Sequence, residues 1–265
     1  MHLESGLWSA DLSPDLGASF TSIAHAGREL LYAPKGAFWM MPWTNRLDGG
    51  HFGAVDRLPV TDPEEGNALH GLSRHVPWRV EEAAANRAVL SQAVAWAPFD
   101  YTARLEITLA TGMFSLALSM RNVGDAACPM GFGWHPWFLR PAGSMVRFLA
   151  EATFLKNERH LPTVAVPSGG VSGGEGAWLG TDGHYAGWNG VAELRRPDLT
   201  LVLRAEGDWA RNLQFYAPHR WPTLCLEPVS HVPNVINRPD LAAWGAMRVL
   251  APGEALRGAV TLSIA

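Results

Sequence analysis

The chain has 265 residues, 48% hydrophobic and 17% charged, with a formal charge of −4 from 21 basic and 25 acidic side chains. That composition builds a substantial apolar core and is not the composition of a disordered segment. The mild negative balance, with no Lys/Arg-rich stripe, excludes a polyanion-binding surface, so nucleic acid is not an expected partner.

In chain order, the first 16 residues carry Glu4, Asp11 and Asp15 and no apolar run, so neither a secretory signal nor a membrane span is expected. Short strand-like runs follow at 78–80 and 88–94. Over 101–109, Tyr101, Ala103, Leu105, Ile107 and Leu109 alternate with Thr102, Arg104, Glu106 and Thr108, the pattern of a half-buried strand. Phe114, Leu116, Leu118 and Met120 repeat it after Thr111-Gly112, which predicts an antiparallel hairpin. The Gly/Ser-rich stretch 167–176 reads as a surface loop, and strand-like runs return at 199–204, 213–216 and 260–264. Helical periodicity is confined to a short turn or helix at 240–247. Many short strands punctuated by 27 Gly and 19 Pro predict an all-β fold, a large antiparallel β-sandwich occupying 1–265 as a single domain. Cys128 and Cys225 are too few and too distant for a disulfide framework or a zinc site. They read as small buried apolar residues in a reduced, cytoplasmic protein.

Across these elements runs an ordered set of polar residues: Asn45-Arg46, His70-Gly71, His135-Pro136, Asp182 and Glu227-Pro228. Two histidines, two carboxylates and an arginine supply an acid, a base and hydroxyl clamps for a neutral polyol such as a sugar. Taken singly, each has an ordinary structural reading. His135, in Gly131-Phe132-Gly133-Trp134-His135-Pro136-Trp137-Phe138, is equally a histidine wedged in an aromatic core. Pro136 lacks a ladder donor, which predicts that His135 sits at a strand end or bulge. Glu227 follows the strand-like Leu224-Cys225-Leu226 and shares a face with Cys225. Partial burial there would raise its pKa toward the range of a general base. Arg46 is equally placed to pair with Asp48, and Asp182 is a natural turn residue. Of the 12 tryptophans, most belong to a core. Trp43, Trp134, Trp137 and Trp188 all neighbour a polar member of the set, and of these Trp134 and Trp188 are assigned to stacking on a sugar ring. No His-x-His pair of the cupin type occurs, so no metal is expected.

Taken in order, these motifs resemble the aldose 1-epimerase (galactose mutarotase) family. The likeness rests on Asn45-Arg46 with Gly50 and Phe52, His70-Gly71, His135-Pro136-Trp137-Phe138, Asp182 before Gly187-Trp188-Asn189-Gly190, and Glu227-Pro228 with Pro233 and Asn237. Ala251-Pro252-Gly253-Glu254 near the end is also similar. The resemblance implies a β-supersandwich that interconverts α and β anomers of a free sugar without a cofactor. By it, Glu227 takes the proton of the anomeric hydroxyl and His135 protonates the ring oxygen. Arg46, His70, Asp182 and Asn45 hold the sugar, His70 also assisting at the ring oxygen.

Three departures bear on the sugar preferred. Asn234 stands where the family usually carries an acidic residue, the bulky Trp134 precedes His135, and His231 follows Glu227 closely enough to reach the site. Two other readings stay open: a hexose-6-phosphate epimerase using Arg46 and Arg74, and a non-catalytic carbohydrate-binding protein. Either way the expected partner is a small-molecule sugar, and the protein a monomer or homodimer.

Overall fold

The computed structural model describes residues 1–53 and 57–265. Among the described residues, the strands form two antiparallel sheets of eleven and nine strands and two two-stranded ribbons. The alternation at 101–109 and 114–120 becomes the hairpin Phe99–Ala110 and Met113–Asn122, with Gly112 left-handed in the turn at φ 85°. Tyr101, Leu105, Ile107 and Leu109 are buried on one face, joined by Phe114, Leu116 and Met120. Each such side chain stabilises the fold by roughly 1.5–3 kcal/mol. The hairpin is flanked by Arg87–Trp96 and Ala255–Ile264 in the nine-stranded sheet.

This apolar face packs on the eleven-stranded sheet. Phe114 meets Phe20 edge-on at 5.7 Å, and Phe148 meets Phe215 at 5.6 Å. Trp134, Phe138, Leu213, Leu224 and Leu226 fill the same core from the second sheet. The runs at 199–204 and 213–216 correspond to Thr200–Gly207 and Asn212–Tyr216, and the turn expected at 240–247 is the 3-10 segment Pro239–Trp244, which starts one residue earlier and ends three earlier. No helix of the described residues is long and apolar enough to cross a membrane.

Two expectations are corrected. The stretch 167–176 is not simply a loop, because Val171–Gly174 pairs as an edge strand with Met145–Phe148. Two of its glycines meet backbone demands: Gly170 and Gly173 have φ 88° and 133°, and a Cβ on Gly170 would run into the Phe148 carbonyl oxygen.

His135, in turn, does not sit at a strand end. It lies inside Gly133–Leu139, in mid-sheet between Ala37–Met40 and Thr223–Val229. The Trp137 N–H donates to the Gly36 carbonyl at 2.9 Å, so by alternation the donor that Pro136 lacks would face Thr223–Val229. On that side the pairing skips from Gly133↔Val229 to Trp137↔Cys225, which leaves His135 directly across from Glu227. The proline thus opens the ladder where the two polar side chains meet. Gly133 is required beside it, since a Cβ would lie 2.8 Å from Val229 Cγ1 and 2.9 Å from Met40 Cε.

Candidate active site

Strand alternation sorts side chains between the core and a polar face. His135 and Trp137 share the polar face with Cys225 and Glu227, Gln214 and Tyr216, and Asp182, which follow one another across four neighbouring strands. Over this face lies the ribbon Arg46–Asp48 paired with Asn67–Leu69. Sheet and ribbon enclose a cavity of about 510 Å³, within the range of small-molecule sites. Asn45, Arg46, His70, His135, Asp182 and Glu227 all line it.

At its floor, His135 Nε2 lies 3.4 Å from Glu227 Oε1, with the two residues 4% and 1% exposed. Burial pushes the Glu227 carboxyl well above the usual range, helped by Asp182 and opposed by Arg46 and Lys156. Burial also lowers His135, to about 3, with the Arg74 charge adding to the effect. Both groups are therefore driven toward their uncharged forms. His135 is sandwiched between Phe38, at 4.5 Å and 27°, and Trp137, at 5.2 Å and 20°. Its Nδ1 has no hydrogen-bond partner among the described residues, so stacking orients the ring.

His70 approaches from the ribbon side, its ring edge-on to His135 at 5.0 Å. Its backbone is left-handed at φ 63°, held by an N–H donated to the Asn45 carbonyl at 2.9 Å. Burial, then His135 and Arg74, hold its pKa well below 6.5, so the ring is neutral. Gly71 follows, also left-handed at φ 71°, and a Cβ there would run into the Met41 carbonyl oxygen. Gly71→Ala is therefore expected to destabilise the protein by at least about 1–3 kcal/mol. Because the same turn aims His70 into the cavity, the variant should also displace that wall; thermal unfolding reads the loss of stability.

Arg46, beside His70 on the ribbon, joins a charge network that reaches the sheet. Glu65 binds the Arg46 guanidinium through two hydrogen bonds, and Arg46 Nη1 is 3.5 Å from Asp182 Oδ2. Lys156 Nζ lies 2.9 Å from Asp182 Oδ1, which also accepts the Gln214 amide at 2.7 Å. Burial alone would raise Asp182, but Lys156 and Arg46 outweigh it and hold the carboxylate below its ordinary range. Asn45 Oδ1 accepts from the Arg46 N–H at 2.9 Å and fixes the ribbon's entry. Arg46 does not pair with Asp48, which instead binds Arg159.

Three assignments are corrected, and Asn234 is placed. Trp134 is fully buried in the core, because the residue next to His135 on a strand must point to the other face. Trp137, two residues on, is the tryptophan that lines the cavity. Trp188 lies beyond the strand Asp182–Ala186 and is buried, its indole N–H donating to the Val191 carbonyl at 2.8 Å. His231 accepts the Thr44 N–H at 3.1 Å away from the cavity, and Asn234 accepts from the Asp48 N–H at 3.1 Å to anchor the ribbon.

Sequence reasoning missed Glu65, Lys156, His160, Gln214, Tyr216 and Arg220. Gln214 and Tyr216 carry a signal, being polar positions at period 2 between buried Leu213 and Phe215. Glu65 and Lys156 carry none, since only the fold brings them to Arg46 and Asp182.

The fold is that of the galactose mutarotase-like sandwiches. An Escherichia coli K12 protein, named as a candidate aldose 1-epimerase, superposes with a TM-score of 0.86 at 21% identity over 100% of this chain and 98% of its own. The galactose 1-epimerase of Lactobacillus acidophilus NCFM superposes at 0.80 with 15% identity, over 100% and 93%. Residues 9–263 match the sequence profile of the Aldose 1-epimerase family, and the chain belongs to that family of isomerase-type enzymes. The uncharacterized protein YphB of Escherichia coli K12 is 24% identical over 255 residues, which is 86% of this chain and 83% of that protein.

Proposed function

We propose that the protein is an aldose 1-epimerase that interconverts the α and β anomers of an unphosphorylated aldose. The observation that carries the reading is the buried carboxyl–imidazole pair at 3.4 Å on the floor of a polar cavity. Glu227 takes the proton of the anomeric hydroxyl while His135 delivers one to the ring oxygen. The bond from C1 to the ring oxygen breaks, C1–C2 rotates, and reclosure on the other face reverses both transfers. The reactive carboxylate–imidazolium pair is the distribution that burial disfavours, reached by moving one proton from the resting carboxylic acid to the imidazole, and the double transfer returns both groups to their uncharged forms. The site's electrostatics therefore lean toward the opened sugar, the high-energy species on the path.

Arg46, Asp182, Asn45 and His70 would hold ring hydroxyls, with Trp137 and Tyr216 as flat walls. Glu65 and Asp182 match the charges of Arg46 and Lys156, so the cavity is polar yet close to neutral, which suits an uncharged ligand. Arg220 and His219 on the wall favour the second reading, a hexose 6-phosphate. The proposal takes 1–265 as one domain of a cytoplasmic monomer or homodimer.

The test is NMR exchange between anomers of glucose, galactose, xylose, arabinose and glucose 6-phosphate, with and without protein. Faster exchange on a free sugar is expected. Enhancement confined to the phosphate ester would move the assignment to the second reading, and none at all would leave a binding role. The principal acid is checked by comparing His135→Asn with His70→Asn. The first should lose roughly 10²–10⁴-fold in kcat as a proton donor does, and the second mainly affinity; the reverse ranking would exchange their roles.

A further inference from the structure

Acid–base chemistry leaves Cys225 without a task. It stands two residues before Glu227 on the same strand and the same face, fully buried. A His135 ring nitrogen, the Cys225 sulfur and a Glu227 oxygen all lie within 4.8 Å of one another. A second observation concerns unused capacity, for Glu227 Oε2 and His135 Nδ1 are both buried with no hydrogen-bond partner among the described residues.

Thiolate, imidazole and carboxylate are the zinc donors, and three of them with one open position make a site with an exchangeable fourth ligand. Bonds of about 2.0–2.3 Å in a tetrahedron set the donors about 3.3–3.7 Å apart. His135 Nε2 and Glu227 Oε1, at 3.4 Å, already have that spacing. The widest separation, at most 4.8 Å, closes by side-chain rotation of Cys225 and Glu227, whose Oε2 has no hydrogen bond to break among the described residues. One thiolate and one carboxylate cancel the charge of a divalent ion, so the filled site is electroneutral, as its burial demands. Mg2+ and Ca2+, which require six or more oxygen-rich ligands, do not match this donor set.

We propose that Cys225, His135 and Glu227 form a three-donor Zn2+ site on the cavity floor, with its fourth position open to the cavity. A bound ion occupies the carboxylate oxygen and the imidazole lone pair, so the same ion that fills the site silences proton transfer. The assignment stands apart from the proposed epimerase activity, because ligation has a readout of its own.

The experiment titrates metal-free protein with ZnCl2 by calorimetry and with CoCl2 by absorption, and repeats both on Cys225→Ala, Cys225→Ser and Cys128→Ala. Wild type and Cys128→Ala should show a thiolate-to-cobalt charge-transfer band in the near ultraviolet, absent from both Cys225 variants. Zinc binding should weaken by about a hundred-fold or more without the sulfur. Anomer exchange should be inhibited by Zn2+ competitively with sugar in wild type, whereas Cys225→Ala exchanges normally and resists the ion. No charge-transfer band in wild type, or equal zinc binding by folded Cys225→Ala and Cys225→Ser, would overturn the site. Absence of anomer exchange would overturn the epimerase reading and leave the cobalt band to decide the metal site.

Discussion

Glu227→Gln is expected to abolish anomer exchange, by roughly 10²–10⁴-fold in kcat, while sugar binding persists and the fold becomes more stable. The amide keeps the shape of the carboxyl but cannot accept and return a proton. The gain in stability follows from the sign of the pKa shift. Burial raises the Glu227 pKa in the folded state, so above the unfolded value near 4.5 the native protein holds a proton that the unfolded chain releases. Stability from this residue is thus complete at low pH and declines as pH rises toward the raised value. Glutamine, uncharged at every pH, removes that decline, a trade of activity against stability common at functional sites. Measurement of Tm at pH 5 and pH 8 checks this, for the advantage of the variant must grow with pH. An unchanged exchange rate would remove Glu227 from the mechanism.

A second large effect is expected on acidification. Four histidines are buried and held uncharged: His135 and His184 at about 3, His231 at about 4, and His70 well below 6.5. Desolvation leads in all four. Below the unfolded value of 6.5 the unfolded chain binds protons that the native state refuses, so stability falls as pH drops from 6.5 toward 4. Each histidine contributes roughly 1.4 kcal/mol per pH unit. Glu227, with the opposite sign, offsets one of the four above pH 4.5, leaving a net uptake of about three protons on unfolding. One pH unit then removes about 4 kcal/mol, a large share of a typical folding free energy. Denaturant unfolding between pH 7 and 5 measures the slope. His184→Gln, whose parent ring meets Asn212 Oδ1 at 2.9 Å away from the cavity lining, should lower the uptake by about one proton. A flat profile would mean that these rings accept protons in the native state.

The all-β fold was legible because half-buried strands repeat every two residues, as Tyr101 through Leu109 and Phe114 through Met120 do. The site was legible where polar residues interrupt such a pattern, and Glu227 after Leu224-Cys225-Leu226 shows the same logic. Trp134 went astray because adjacency in sequence stood in for adjacency on a face, although alternation already points to Trp137. Pro136 alone points to a strand end or bulge for His135, a rule that omits the open rung facing Glu227. Glu65, Lys156 and His160 had no local signature, since their partners lie far away in sequence and only tertiary packing joins them.

The two halves of the cavity come from different parts of the architecture. The proton pair stands on mid-sheet strands locked by neighbours on both sides, whereas Arg46 and His70 ride on a two-stranded ribbon laid over the sheet. Changes in the ribbon can therefore retune ligand preference without disturbing the chemistry beneath. The arrangement is modular in an engineering sense: a rigid floor under a separable cover, so that substitutions in the ribbon and in the sheet can be made and read independently.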